Sequence, residues 1–180
     1  MSKPVFFETT MPVETTVPFG TTLEVRDTCL CLHAQRAARA LARRFDEALR
    51  PAGLTNGQFS LLMALNRPEP VGMQPVAQLL AMDRTTLTAA LKPLARDGLV
   101  ELGIDPADRR GRRLSLTGKG LAALAVAVPI WRGLHGTIEA ALPPPGAEAL
   151  RAGLRAVAAE PQLRNTAPST PPPASIHSGL

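Results

Sequence analysis

The sequence predicts a mainly α fold with a small β-wing, a winged helix-turn-helix flanked by long helices. Three observations predict it. Apolar residues recur at helical spacing through most of the chain. Two helical segments meet at the tight turn Ala81-Met82, and the second is polar on one side. Immediately afterwards the period becomes alternating in two short runs, 99–104 and 113–117, on either side of a turn-rich basic loop.

The elements follow in chain order. Residues 1–24 carry a loose six-residue repeat: Phe7-Glu8-Thr9-Thr10, Val13-Glu14-Thr15-Thr16 and Phe19-Gly20-Thr21-Thr22, with Pro12 and Pro18 at the joints. Branched side chains and spaced prolines favour an extended or disordered arm there. A long helix is expected within 25–50, from about Asp27 to Leu49, because Leu30, Ala34, Ala37, Leu41, Phe45 and Ala48 form one stripe. Pro51 and Gly53 end it. Thr55 then reads as an N-cap with Gln58 completing a capping box. That helix runs through Phe59, Leu62 and Met63 and stops before Pro68. A linker over 67–72 leads to a short helix, about 74–80.

Asp83 caps the next helix, which buries Leu87, Leu91 and Leu94 and ends at Gly98. The two alternating runs and the loop Asp105–Arg112 make the wing, closing a lobe that spans 51–117. Thr117 caps a long helix bent at Pro129, and a last helix covers about Gly146 to Ala159, so 118–160 is helical. Residues 161–180 are rich in Pro, Ser and Thr, the composition of a disordered tail.

Composition limits the function. The chain has 180 residues and a formal charge of +5, with 45% hydrophobic and 3% aromatic residues and no tyrosine. So few aromatics argue against RNA-binding sheets and single-strand stacking platforms, which use aromatic faces. A reader of double-stranded DNA needs cations and small polar groups instead. Of the 20 basic residues only Lys3, Lys92 and Lys119 are lysine. Arginine offers a planar fork suited to phosphates and guanine edges. Two cysteines make no disulfide framework, which points to a reducing, cytoplasmic setting. The longest apolar candidate, Leu121 to Leu134, is short and contains Arg132, so no membrane partner is expected. No nucleotide-binding glycine loop, zinc-protease helix or serine-hydrolase elbow is found, and neither an enzyme nor a cofactor is expected.

Several segments resemble the MarR family of bacterial transcription regulators. They are Gly53-Leu54-Thr55, the stretch Leu79-Leu80-Ala81-Met82-Asp83-Arg84-Thr85-Thr86-Leu87-Thr88, and Leu94-Ala95-Arg96-Asp97-Gly98-Leu99-Val100. The wing, Asp105 to Arg110, followed by Leu114-Ser-Leu-Thr117-Gly118-Lys119-Gly120, completes the pattern, which covers about residues 27–159. The resemblance implies a homodimer whose first and last helices interlock in a dimerisation region, one winged lobe hanging from each side. It implies double-stranded DNA as partner and repression as the commoner mode.

In that setting the face Arg84, Thr85, Thr86, Thr88 and Lys92 suits the major groove. Thr85, Thr86 and Thr88 have a second reading, as caps or back-bonding hydroxyls. Gln74 would help the preceding helix brace a phosphate. The wing cations Arg109, Arg110, Arg112 and Arg113 suit the minor groove. The resemblance further implies that Asp108 orients the wing and that Arg110 is its inserted tip. Two-fold symmetry predicts a pseudo-palindromic operator. The rival class is a winged-helix module that binds proteins and has no operator of its own.

Cys29 and Cys31 open the long first helix, and the amides and dipole of a helix N-terminus favour a thiolate. Organic-hydroperoxide sensors within the family carry one reactive cysteine at the place of Cys31, and Arg39 falls in register with them. Their thiolate-binding tyrosines are replaced here by Gln35, Phe45 and Asn56. Cys31, with Cys29 second, is therefore a redox candidate, and an inert cysteine at the dimer interface is the alternative. Metal binding by Cys29, Cys31 and His33 would need an extended segment, so no metal site is expected. A small-molecule effector would occupy a pocket near Phe45, Phe59, Met63, Trp131 and His135, residues that otherwise read as core.

Overall fold

A computed structural model describes residues 16–105 and 111–159. The elements are α1 (Phe19–Thr28), α2 (Leu30–Leu49), α3 (Asn56–Leu65), β1 (Val71–Gly72), α4 (Met73–Leu79), α5 (Arg84–Arg96), β2 (Val100–Ile104), β3 (Arg112–Leu116), α6 (Gly118–Ala140) and α7 (Gly146–Ala159). Two compact units divide them, with the boundary inside α6 between Trp131 and Arg132.

Local signals explain most of the boundaries. Thr55 accepts from the backbone N–H of Gln58, and the Gln58 side chain accepts from the N–H of Thr55, so the expected capping box forms. Asp46 of α2 adds a tertiary cap by accepting from the N–H of Asn56 at 2.6 Å. Gly53 and Gly98 take φ of +67° and +70°, which is why these two turns use glycine. Leu87, Leu91 and Leu94 of α5 are buried with Leu49, Leu61, Leu62, Val76 and Leu114, and this mostly leucine cluster is the core of the first unit.

Three expectations change. Part of the 1–24 arm is helical: α1 begins at Phe19, and Cys29 in extended conformation separates it from α2. α1 has no buried residue, so its own backbone hydrogen bonds rather than core packing support it. The linker before α4 ends as β1, because Val71 pairs with Leu114 and Gly72 with Arg113, giving a three-stranded sheet of order β1-β3-β2. Finally, α6 is long and apolar enough to cross a membrane by length and composition, with mean hydropathy 1.4. The apolar run Leu121 to Leu134 is short and contains Arg132, whereas the average over 18 residues of the helix tolerates that one charge. Leu124 and Ala127 of α6 nevertheless belong to the buried core of the first unit.

In the second unit, Arg151 of α7 pairs with Glu139 at the end of α6 and with Glu148, and Arg155 also pairs with Glu148. These exposed charges hold the Glu148 carboxyl below its ordinary range, Arg155 first and Arg151 second.

The hairpin is joined to α6 at Thr117–Gly120. Thr117 donates to the carbonyl of Gly98 at 2.7 Å and caps α6 by accepting from the N–H of Gly120 at 3.0 Å. Lys119 donates to the carbonyl of Asp97 at 2.8 Å. A Cβ on Gly120 would fall on the carbonyl oxygen of Leu99, whereas Gly118 faces open space. We therefore expect Gly120→Ala to destabilise the fold by about 1–3 kcal/mol through overpacking. Gly118→Ala, compared in the same thermal melts, should be far milder.

Candidate nucleic-acid interface

The α5 surface is set by its first residue pair. Asp83 caps the helix, accepting from the N–H of Thr86 and from its hydroxyl, both at 2.7 Å. These two bonds, the backbone one first, hold the Asp83 carboxyl below its ordinary value of 3.8. Thr88 donates its hydroxyl to the carbonyl of Arg84 at 2.7 Å. Both hydroxyls are thus cap and back-bond, the second of the two readings for these threonines. Arg84, Thr85, Thr86, Thr88 and Lys92 are all exposed, opposite or beside the buried leucine stripe.

Two open grooves flank this helix. One, of about 490 Å³, lies between the start of α4 and the root of the wing and is lined by Gln74, Arg84, Asp105 and Arg112. The other, of about 540 Å³, runs between α5 and β2 and is lined by Arg84, Thr88, Lys92, Leu102 and Arg112. Arg84 and Arg112 line both, so a helix cation and a wing cation share one surface with Lys92. Gln74 lies in the first turn of α4 and is exposed, as phosphate bracing requires.

Arg113 differs from the wing cation expected of it. It donates to Asp105 Oδ2 at 3.1 Å and to the carbonyl of Pro70 at 2.9 Å, tying β3 to the wing root and to the chain before β1. Its charge is engaged in holding the hairpin. Sequence reasoning missed this partner and the Lys119 bond. Opposite charges on either side of the turn, Asp105 and Arg113, were the available signal. Asp108, Arg109 and Arg110 lie outside the described residues.

The remaining candidates fall elsewhere. Cys29 is the N-cap of α2, its sulfur accepting from the N–H of Leu32 at 3.4 Å. Cys31 is exposed; Gln35 donates its amide to the Cys31 sulfur at 3.1 Å, and Arg39 donates to the Gln35 carbonyl oxygen at 3.1 Å. His33 lies 3.2 Å from the carbonyl of Asp27. Phe45 and Phe59 are buried, and Phe59 stacks on Trp131 with centroids 6.2 Å apart, so these rings pack against neighbours within the core. Met63 is 40% exposed. His135 belongs to the second unit, 3.7 Å from Glu139. The structure does not gather these five residues into one pocket of a single unit.

A capped helix presented beside a β-hairpin, with cations from both on one surface, defines a winged helix-turn-helix protein of the nucleic-acid-reading class. A family model described as "MarR family" matches residues 52–111. The transcriptional regulator MosR of M. tuberculosis, solved in complex with DNA, is 40% identical. That match covers 72% of this chain and 92% of MosR, with a TM-score of 0.66. BpsR of Bordetella bronchiseptica, whose structure concerns regulation of DNA binding by 6-hydroxynicotinic acid, is 25% identical. It matches over 74% of this chain and 95% of BpsR, with a TM-score of 0.66. The regulator TtmR of Methylorubrum extorquens is 33% identical over 94 residues, 52% of this chain and 48% of TtmR. The chain thus spans about half the length of that curated relative. The chain belongs to the MarR family, whose members are transcriptional regulators and not enzymes.

The depressed Asp83 carboxylate gives a pH test. A carboxyl whose pKa is lowered on folding stabilises the fold above its unfolded value, and that support is lost as pH falls through the folded value. Asp83→Ala should therefore lower Tm at neutral pH. The gap from the wild type should narrow as pH drops below 3.8. Melts of both proteins between pH 7 and pH 2 check it.

Proposed function

We propose that the chain is a homodimeric DNA-binding regulator, acting as a repressor, that grips a pseudo-palindromic operator. The observation that carries this is the surface shared by Arg84, Lys92 and Arg112 beside a capped, exposed helix. α5 enters the major groove and the wing reaches the minor groove. Gln74 braces a phosphate, and Asp108, Arg109 and Arg110 supply the wing tip. Dimerisation covers exposed apolar side chains on the flanking helices, among them Leu30 and Leu41 of α2, Leu121 and Val126 of α6, and Leu150, Leu154 and Val157 of α7.

Phosphate contacts release counterions, so affinity falls steeply with salt. In fluorescence anisotropy with the chain's own upstream DNA, Arg110→Ala weakens binding at least tenfold in an intact dimer. Lys92→Ala weakens it and reduces the salt slope by about one phosphate contact. A duplex affinity that ignores both changes would favour the alternative, a winged-helix protein-interaction module.

Release from DNA is assigned to oxidation of Cys31. The specific support is the amide donor that Gln35 aims at an exposed sulfur, in the place where related sensors use tyrosine hydroxyls. A small-molecule effector is the second route, for which the buried stack of Phe59 on Trp131 gives less room. Cumene hydroperoxide should release operator DNA from the wild type and leave Cys31→Ser bound. Equal release from both proteins would discard Cys31 as the sensor.

A further inference from the structure

We infer that the middle of the α5 face reads thymine methyl groups and makes no phosphate or guanine contact there. The inference rests on the operator reading above and specifies what that face recognises.

The argument is one of donor accounting. A threonine hydroxyl has one hydrogen to donate. Thr86 Oγ1 lies 2.7 Å from Asp83 Oδ2, and Thr88 Oγ1 lies 2.7 Å from the carbonyl oxygen of Arg84. An ionised carboxylate and a carbonyl can only accept, so both hydroxyl hydrogens are committed inside the helix. Phosphate oxygens and the N7 and O6 of guanine also only accept. Thr86 and Thr88 therefore have nothing to give them. Each residue is exposed and retains its methyl group and oxygen lone pairs. Ala89, next to Thr88 and also exposed, adds a third methyl.

The major-groove edges sort accordingly. Thymine offers a C5 methyl, and its partner adenine offers an amino donor that a committed hydroxyl can still accept. A G·C pair offers an amino donor but no methyl. The donor-poor pair Thr88 and Ala89 thus matches an A·T pair with its thymine methyl against these side chains, while Thr86, on the other side of the buried Leu87, would meet a different part of the duplex. The donors stand at the flanks, where Arg84 and Lys92 line the groove toward the wing. With Thr85 in the first turn, they are the groups of this helix equipped for guanine or phosphate.

The test starts by selecting the preferred duplex from a random library with the full-length protein. Each thymine of the half-site is then replaced in turn by deoxyuridine, which removes only the methyl. At the thymine facing this stretch, affinity should fall about fourfold, the worth of one buried methyl-sized group. Thr88→Ser keeps the hydroxyl and its bond but loses the methyl; Thr88→Val does the reverse. Thr88→Ser should cost more affinity for the thymine duplex than Thr88→Val, and should erase the deoxyuridine penalty at its own position. Thr86→Ser provides a second variant, and thermal melts confirm that each variant is folded. Deoxyuridine without effect at every thymine would overturn the inference. So would a larger loss from Thr88→Val accompanied by a flatter salt dependence, the mark of a phosphate donor. If no sequence is enriched at all, the operator reading itself falls, and that outcome is distinct from both.

Discussion

Three backbone carbonyls where α5 runs into the hairpin hold this lobe together. A backbone carbonyl past the end of a helix needs a donor from elsewhere in the chain or from water. Here the carbonyls of Asp97, Gly98 and Leu99 are taken by the Lys119 ammonium, the Thr117 hydroxyl and the Thr117 N–H. All three donors come from the segment that starts α6. The bonds form only because Gly120 lets the α6 backbone come up against Leu99. One short segment therefore fixes the end of α5, the exit of β3 and the origin of α6.

Charge in the lobe is divided between holding and reaching. Arg113 is committed to Asp105 and Pro70, Arg96 to Asp97, and Arg50 to Glu47. Exposed pairs of this kind contribute little to stability, but they neutralise one another locally. Arg84, Lys92 and Arg112 remain on the groove surface. Glu47, Asp97 and Asp105 are each matched with a cation, so the positive field gathers on that one side.

Where side-chain chemistry acts within a few residues, the sequence was readable. The Thr55–Gln58 box, the Asp83 cap, the leucine stripe of α5 and the hairpin all followed from local spacing and appear as expected. Contacts between distant segments were not readable. β1 is two residues long and exists only because β3 offers it an edge. The charge of Asp105 across the turn hinted at one partner of Arg113, but its bond to the carbonyl of Pro70, 43 residues away, left no trace in local spacing. The break at Cys29 was hidden for a different reason. Helical periodicity continues across it, and only the backbone turns extended. On α5, the direction of each threonine hydroxyl depends on 2.7 Å geometry that no pattern encodes.

The wing root has a consequence for how the hairpin tolerates substitution. The hairpin is closed below its tip by the Asp105 N–H on the Gly111 carbonyl at 3.3 Å and by Arg113 bridging Asp105 and Pro70. In the described part of the hairpin, folding information therefore resides in the root. A root organised this way keeps both strands and the chain before β1 in register through one acid and one cation, so a single substitution at Asp105 or Arg113 would loosen all three segments together.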